Sequence, residues 1–283
     1  MLEGIDAGAF AVVMATGILG VGARLEGLAA LADVLLACAS LVWLVLAAVL
    51  GPRSVRSFAV VAGTAVIGAD LLLAGEEASA LALWCLAAAL WLAVAFTIRS
   101  EAAGSLLTIV ATESLAVLAA TLDRHLDAPL RWPAVGLWAL GLALYPLVAG
   151  RILHASVRQR RFDPTHWIVM GALAITTLAA SELLLDRHTF GAAIALATWA
   201  AASAMIPLLA LTELRVRHRH YETARWSFVF PLGMYGVASR VLGSADGLAG
   251  LRTIGTVFFW LALAAWVLTA AGLARRAVRR ATA

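Results

Sequence analysis

The chain has 283 residues, 63% of them hydrophobic and 13% charged, with a mean hydropathy of +0.94. A soluble domain of that composition would present a mostly apolar surface to water, so a soluble fold is excluded and an all-α polytopic membrane protein is expected. The formal net charge is +4, all 21 basic residues are arginine, and these lie mainly in loops and tails, which argues against a nucleic-acid partner.

Ten runs are long enough to cross a hydrocarbon core, at about 7–24, 29–50, 56–74, 80–98, 104–121, 133–151, 164–184, 189–212, 225–243 and 252–274. Residues 1–283 thus read as a single transmembrane domain in contact with the lipid bilayer. Long unbroken apolar runs such as 28–50 do not fit the alternating strands of a β-barrel. The acidic start, Glu3 and Asp6, leads straight into the first span, so no cleavable signal peptide is expected. Pro133 and Pro164 fall where the sixth and seventh helices are predicted to begin. Fifteen arginines lie on the side that holds both termini and five on the other. The positive-inside rule then places both termini in the cytoplasm, and the localisation expected is a bacterial cytoplasmic membrane.

Polarity alternates along the chain. The odd-numbered runs carry most of the small and hydroxyl residues, among them Thr16, Thr64, Thr112, Thr176, Thr177 and Ser227. The even-numbered runs are mostly Ala, Leu, Val and Trp. Lipid tolerates the second composition and a bundle interior suits the first. Five hairpins are therefore expected, each with one inner and one outer helix, spaced roughly 47 to 61 residues apart, with too little identity to make a sequence repeat. These six hydroxyl residues, together with Glu113, are candidates for a pore or substrate path. Trp43, Trp84, Trp91, Trp138, Trp199, Trp260 and Trp266 read as lipid-facing or interfacial anchors. Cys38 and Cys85, in separate runs, read as buried apolar side chains.

Few ionisable groups lie within spans. Asp70, Glu182 and Arg240 fall near outer ends, where they are candidates for an outer vestibule. Glu113 falls near mid-span, where a carboxyl is a functional candidate by default. The histidines lie in loops or at helix ends, and no metal-binding or cofactor motif is present, so no cofactor, no metal and no catalytic residue is expected.

The ninth run, Trp226-Ser227-Phe228-Val229-Phe230-Pro231-Leu232-Gly233-Met234-Tyr235, places a proline and aromatic rings inside a span. Pro231 removes a backbone hydrogen bond to Ser227 and is expected to kink the helix beside Phe230. This run resembles the Trp-x-x-x-Phe-Pro signature of the TehA-like tellurite-resistance/dicarboxylate transporter family, which includes the SLAC-type anion channels. The segment Pro164-Thr165-His166-Trp167-Ile168-Val169-Met170-Gly171 resembles that family's Pro-x-x-Trp-x-x-x-Gly stretch. Gly8-Ala9-Phe10 resembles its Gly-x-Phe opening. The resemblance implies a pseudo-fivefold ring of ten transmembrane helices around a central pore, with odd helices inside, and an assembly that is often a homotrimer. It also implies a pore gate, Phe230 by position, with Phe228 as the other choice.

Two functions stay open at this point. One is an anion channel or exporter for a small anionic substrate. The other is a proton-coupled carrier for an organic acid such as a C4-dicarboxylate, or for an oxyanion such as tellurite or sulfite, with Glu113 exchanging the proton. An enzyme is not expected.

Overall fold

The computed structural model describes residues 9–97, 105–126, 129–159, 166–184, 188–215, 225–245 and 247–281. Among these residues lie ten α-helices: α1 (Phe10–Leu25), α2 (Ala29–Leu50), α3 (Ala59–Leu73), α4 (Glu77–Thr97), α5 (Leu106–Leu126), α6 (Arg131–Gln159), α7 (Trp167–Leu184), α8 (His188–Arg215), α9 (Trp226–Ala245) and α10 (Ala249–Ala281). Runs of Ala and Leu favour helix throughout. The breaks fall where the backbone needs a left-handed residue. Gly27 (φ 78°) ends the α1–α2 turn and Gly75 (φ 88°) ends the α3–α4 turn, so each hairpin closes within a few residues.

The odd helices form a closed ring. α1 packs on α3, α3 on α5, α5 on α7, α7 on α9, and α9 returns to α1. Each even helix lies against the odd helix before it and also touches the next, so the five even helices fill the outer grooves. Burial follows this order. In α5, 89% of the most apolar 18-residue stretch is buried, against 17% in α4, α8 and α10. Five hairpins with polar inner helices, expected from the alternation of composition, are what the chain forms.

Not every span has the expected length. Six helices (α2, α4, α5, α6, α8 and α10) are long and apolar enough to cross a membrane by themselves. α1 and α3 have only 16 and 15 residues. A 3-10 stretch, Gly51–Arg56, fills the link between α2 and α3 and takes only Arg56 from the third span, and α3 itself begins at Ala59. These inner helices are surrounded by protein, so the length rule set by hydrocarbon thickness binds them less than the outer ring. Pro133 sits in the first turn of α6 as expected, while Pro164 lies outside the described residues.

The outer surface corrects two expectations. Cys38 and Cys85 are free and exposed on α2 and α4, where a small apolar side chain facing lipid costs nothing. The tryptophans do more than anchor. Trp260 is 52% exposed, but Trp138 is buried and the Trp84 indole donates to the Leu115 carbonyl. α9 and α10 come closest: a Cβ on Gly255 would stand 2.8 Å from the Gly236 carbonyl oxygen, so glycines let these two backbones touch.

Candidate functional site

The hydroxyls of the inner helices point mostly to the outer ring. The Trp43 indole on α2 donates to Thr64 Oγ1 on α3 at 2.9 Å, and that of Trp91 on α4 donates to Thr112 Oγ1 on α5 at 2.9 Å. Trp199 on α8 donates to Ser239 Oγ on α9 at 2.8 Å, and Trp266 on α10 to Thr16 Oγ1 on α1 at 2.9 Å. The fifth seam uses a phenol: Tyr145 on α6 donates to the Val169 carbonyl of α7 at 3.2 Å. Each outer helix is thus stapled to the inner helix of the next hairpin. Thr177 donates to Thr198 on α8, and Thr176 to Glu113 Oε1 at 3.0 Å.

The axis of the ring holds a cavity of about 480 Å³ lined only by the five odd helices, at their C-terminal ends. Its walls fall into three rows of five in one register. The deepest is Ile18, Val66, Ser114, Ile175 and Met234; next come Val21, Ala69, Val117, Leu178 and Val237; then Leu25, Leu73, Thr121, Glu182 and Val241. Arg124, His125, Arg240 and Ser244 also contribute. Thr16, Thr64, Thr112, Glu113, Thr176, Thr177 and Ser227, the residues predicted for a pore or substrate path, are not among the lining residues. In each of α1, α3 and α5 the threonine stands two positions before the cavity-facing residue, about 200° around the helix.

The charged candidates separate into two groups. Glu182 and Arg240 line the cavity. Glu182 forms an ion pair with Arg124, whose side chain is 43% exposed. Arg240 pairs with Glu26 at 2.8 Å, and its Nε donates to the Leu25 carbonyl at 3.0 Å. Asp70 does not belong to this vestibule. It is fully buried between α3 and α1, where Arg24 Nε donates to its Oδ1 at 2.7 Å, and a side chain on Gly20 would collide with its Oδ2. It is Ala69, one residue earlier, that faces the cavity.

Continued one turn toward the N-terminal ends, the same register gives Met14, Ala62, Val110, Gly171 and Phe230. All five are buried and none lines the cavity. Phe230, 2% exposed, lies one turn beneath the cavity residue Met234 on α9. Phe228 is placed differently: its ring meets Trp167 of α7 edge-on, with centroids 4.6 Å apart. α9 runs through Pro231 as one continuous helix. The proline ring fills the place of a missing side chain on α7, since a Cβ on Gly171 would stand 2.9 Å from Pro231 Cβ and Cγ. Glu113 lies off the axis and is fully buried. Gly141 of α6 faces its carboxyl so closely that a Cβ there would come 2.7 Å from Glu113 Cδ.

The family profile described as SLAC1, voltage-dependent anion channel, matches residues 5–274. The chain belongs to this family. Two membrane proteins of Mycobacterium tuberculosis, described as uncharacterized, one in strain CDC 1551 and one in strain H37Rv, are each 37% identical to it over 143 residues. The match spans 46% of this chain and 73% of each relative. Membership of the SLAC1 family makes the protein membrane-embedded and places it among channels and transporters of anions, not among enzymes.

Within this SLAC1 member, the sequence carried a signal that composition alone did not use. Thr16, Thr64 and Thr112 are spaced 48 residues apart, as are Trp43 and Trp91, and the residues lining the cavity from α1, α3 and α5 follow the same spacing. The first three hairpins therefore repeat in register even though little identity survives. The staples can be tested by a double-mutant cycle with Trp43→Phe and Thr64→Val, read as stability in detergent. The expected coupling is about 0.6 kcal/mol, a common value for a hydrogen bond between membrane helices. Strictly additive effects would show that this bond contributes nothing.

Proposed function

We propose that the protein is an anion channel whose conduction path runs along the axis of the five inner helices. The observation that carries this reading is the axial cavity, built in three fivefold rows from α1, α3, α5, α7 and α9 and from no outer helix. Small anions enter its C-terminal end past Arg124 and Arg240 and cross rows that are almost wholly apolar. Phe230 closes the path one turn further in, as a steric barrier in a narrow stretch that excludes water. Thr16, Thr64 and Thr112 act on this path indirectly, by holding the inner helices against the outer ring.

The count of fifteen arginines against five supports an orientation with both termini in the cytoplasm and the cavity opening outward. The membrane in this reading is a bacterial inner membrane, and the assembly a homotrimer in which each copy keeps its own pore. Glu113 lies off the path, so it gives no reason to prefer a proton-coupled carrier of dicarboxylates, tellurite or sulfite.

The deciding measurement is current across a planar bilayer holding the purified protein under a chloride gradient. The reversal potential should approach the chloride equilibrium potential and move when nitrate replaces chloride on one side. A cation-selective current, or no current from well-folded protein, would overturn the proposal.

A further inference from the structure

The charges at the mouth of the axial cavity cancel in pairs. Arg124 is matched by Glu182, and Arg240 by Glu26 at 2.8 Å. Arg240 also donates to the Leu25 carbonyl and to Thr256 Oγ1. His125 bonds the Thr121 carbonyl of its own helix through Nδ1 at 2.8 Å. Beneath this neutral mouth lie two apolar rows in which Ser114 is the one polar residue. The Ser114 hydroxyl donates to the Val110 carbonyl at 2.7 Å, so its oxygen has only acceptor capacity left. An anion needs a donor and finds none there. A ligand hydroxyl finds an acceptor, and an apolar body gains from every carbon it withdraws from water. At about 480 Å³ the cavity is of small-molecule size, roughly 300–1,000 Å³.

We infer that this chamber binds a neutral apolar molecule carrying one hydroxyl donor, of the phenol class. The hydroxyl donates to Ser114 Oγ in the deepest row, and the body lies against Val21, Ala69 and Val237. The inference rests on reading the cavity as the outer stretch of the conduction path. Bound there, the ligand blocks small anions from reaching Phe230.

The test uses three probes with one ring system: 2-naphthol, its methyl ether, which has no donor, and 2-naphthoate, which is charged. Binding to the purified protein is measured by calorimetry against protein-free micelles, and block by the chloride current in a bilayer. Naphthol should bind at least about tenfold more tightly than naphthoate, whose carboxylate meets no unmatched cation. Ser114→Ala should weaken naphthol about fivefold, the effect of one hydrogen bond, and leave the ether unchanged. Binding of the ether thus certifies the fold of that variant. The naphthol concentration for half-block should rise by the same factor. Ala69→Phe, which fills the second row, should abolish binding of both naphthol and the ether.

The neutrality of the mouth has its own test. Glu26→Gln leaves the charge of Arg240 without its carboxylate. It should tighten naphthoate and leave naphthol where it was, whereas damage to the fold would weaken both. Naphthol that binds no better than naphthoate, or that ignores Ala69→Phe, overturns the inference. So does a Ser114→Ala variant that shifts naphthol and the ether alike. Naphthol binding as described in a protein that carries no anion current would refute the channel and leave the binding site standing. An anion current in a protein that binds no naphthol would do the reverse. Bound naphthol that leaves the current untouched would show that the cavity is not on the path.

Discussion

Phe230→Ala is expected to raise the anion current on the order of tenfold, the effect of removing about 1.4 kcal/mol from the barrier to passage. The argument is one of register. Phe230 carries the only ring in a row whose other members are Met14, Ala62, Val110 and Gly171, and two of those are among the smallest residues available. If Phe230 is the barrier, removing its benzyl group extends the cavity above it by one row. A ring packed in a solid core behaves otherwise, since its loss leaves a dry cavity and costs about 3–5 kcal/mol of stability with no gain in flux. Recording and thermal stability should therefore be taken on the same preparation. Phe228→Ala is the control, because its ring lies on Trp167 and its removal should leave the current near that of the unmodified protein. An unchanged current in well-folded Phe230→Ala protein would end the assignment of a gate here.

Gly171→Ala should be among the most damaging single-methyl substitutions. The new Cβ would stand 2.9 Å from two carbons of the Pro231 ring and 3.2 Å from its Cα. A proline ring has no rotamer to escape into, so α7 and α9 must move apart. Overpacking of this kind costs about 1–3 kcal/mol. It should appear as a lowered melting temperature in detergent. Gly136→Ala provides the comparison, because nothing lies within 4 Å of its added methyl. If the two variants melt together, α7 and α9 are not locked through Gly171 and Pro231.

How much of this could be read beforehand depended on the scale of the pattern. The ten helices and the inner–outer alternation follow from composition averaged over each span, and averaging forgives local error. The direction of a single side chain does not average. Thr16, Thr64 and Thr112 were grouped with the pore because hydroxyls belong in a bundle interior, yet a helix between two layers has two interior faces. The face toward the axis is apolar, and the face toward the outer helices carries the hydroxyl that answers a tryptophan. Asp70 and Glu113 fell to the same ambiguity, since each is buried between neighbouring helices. Glu182 and Arg240, by contrast, lie near helix ends, where position along the chain alone brings them to the cavity lining. Trp43, Trp91, Trp199 and Trp266 have a second role beyond anchoring, because indole is at home both at a lipid interface and against a buried hydroxyl, and only a partner at a fixed distance separates the two.

The five aromatic bonds between successive hairpins amount to a hoop. Each inner helix is tied through an outer neighbour to the hairpin before it, and the circuit closes where Trp266 reaches Thr16. A hooped cask does not widen by letting one stave lean. An iris-like opening of this ring would strain every tie in turn, whereas the swing of one phenyl group breaks none of them. The scaffold is thus set to hold a constant bore, which in the proposed channel leaves the gating motion to a side chain.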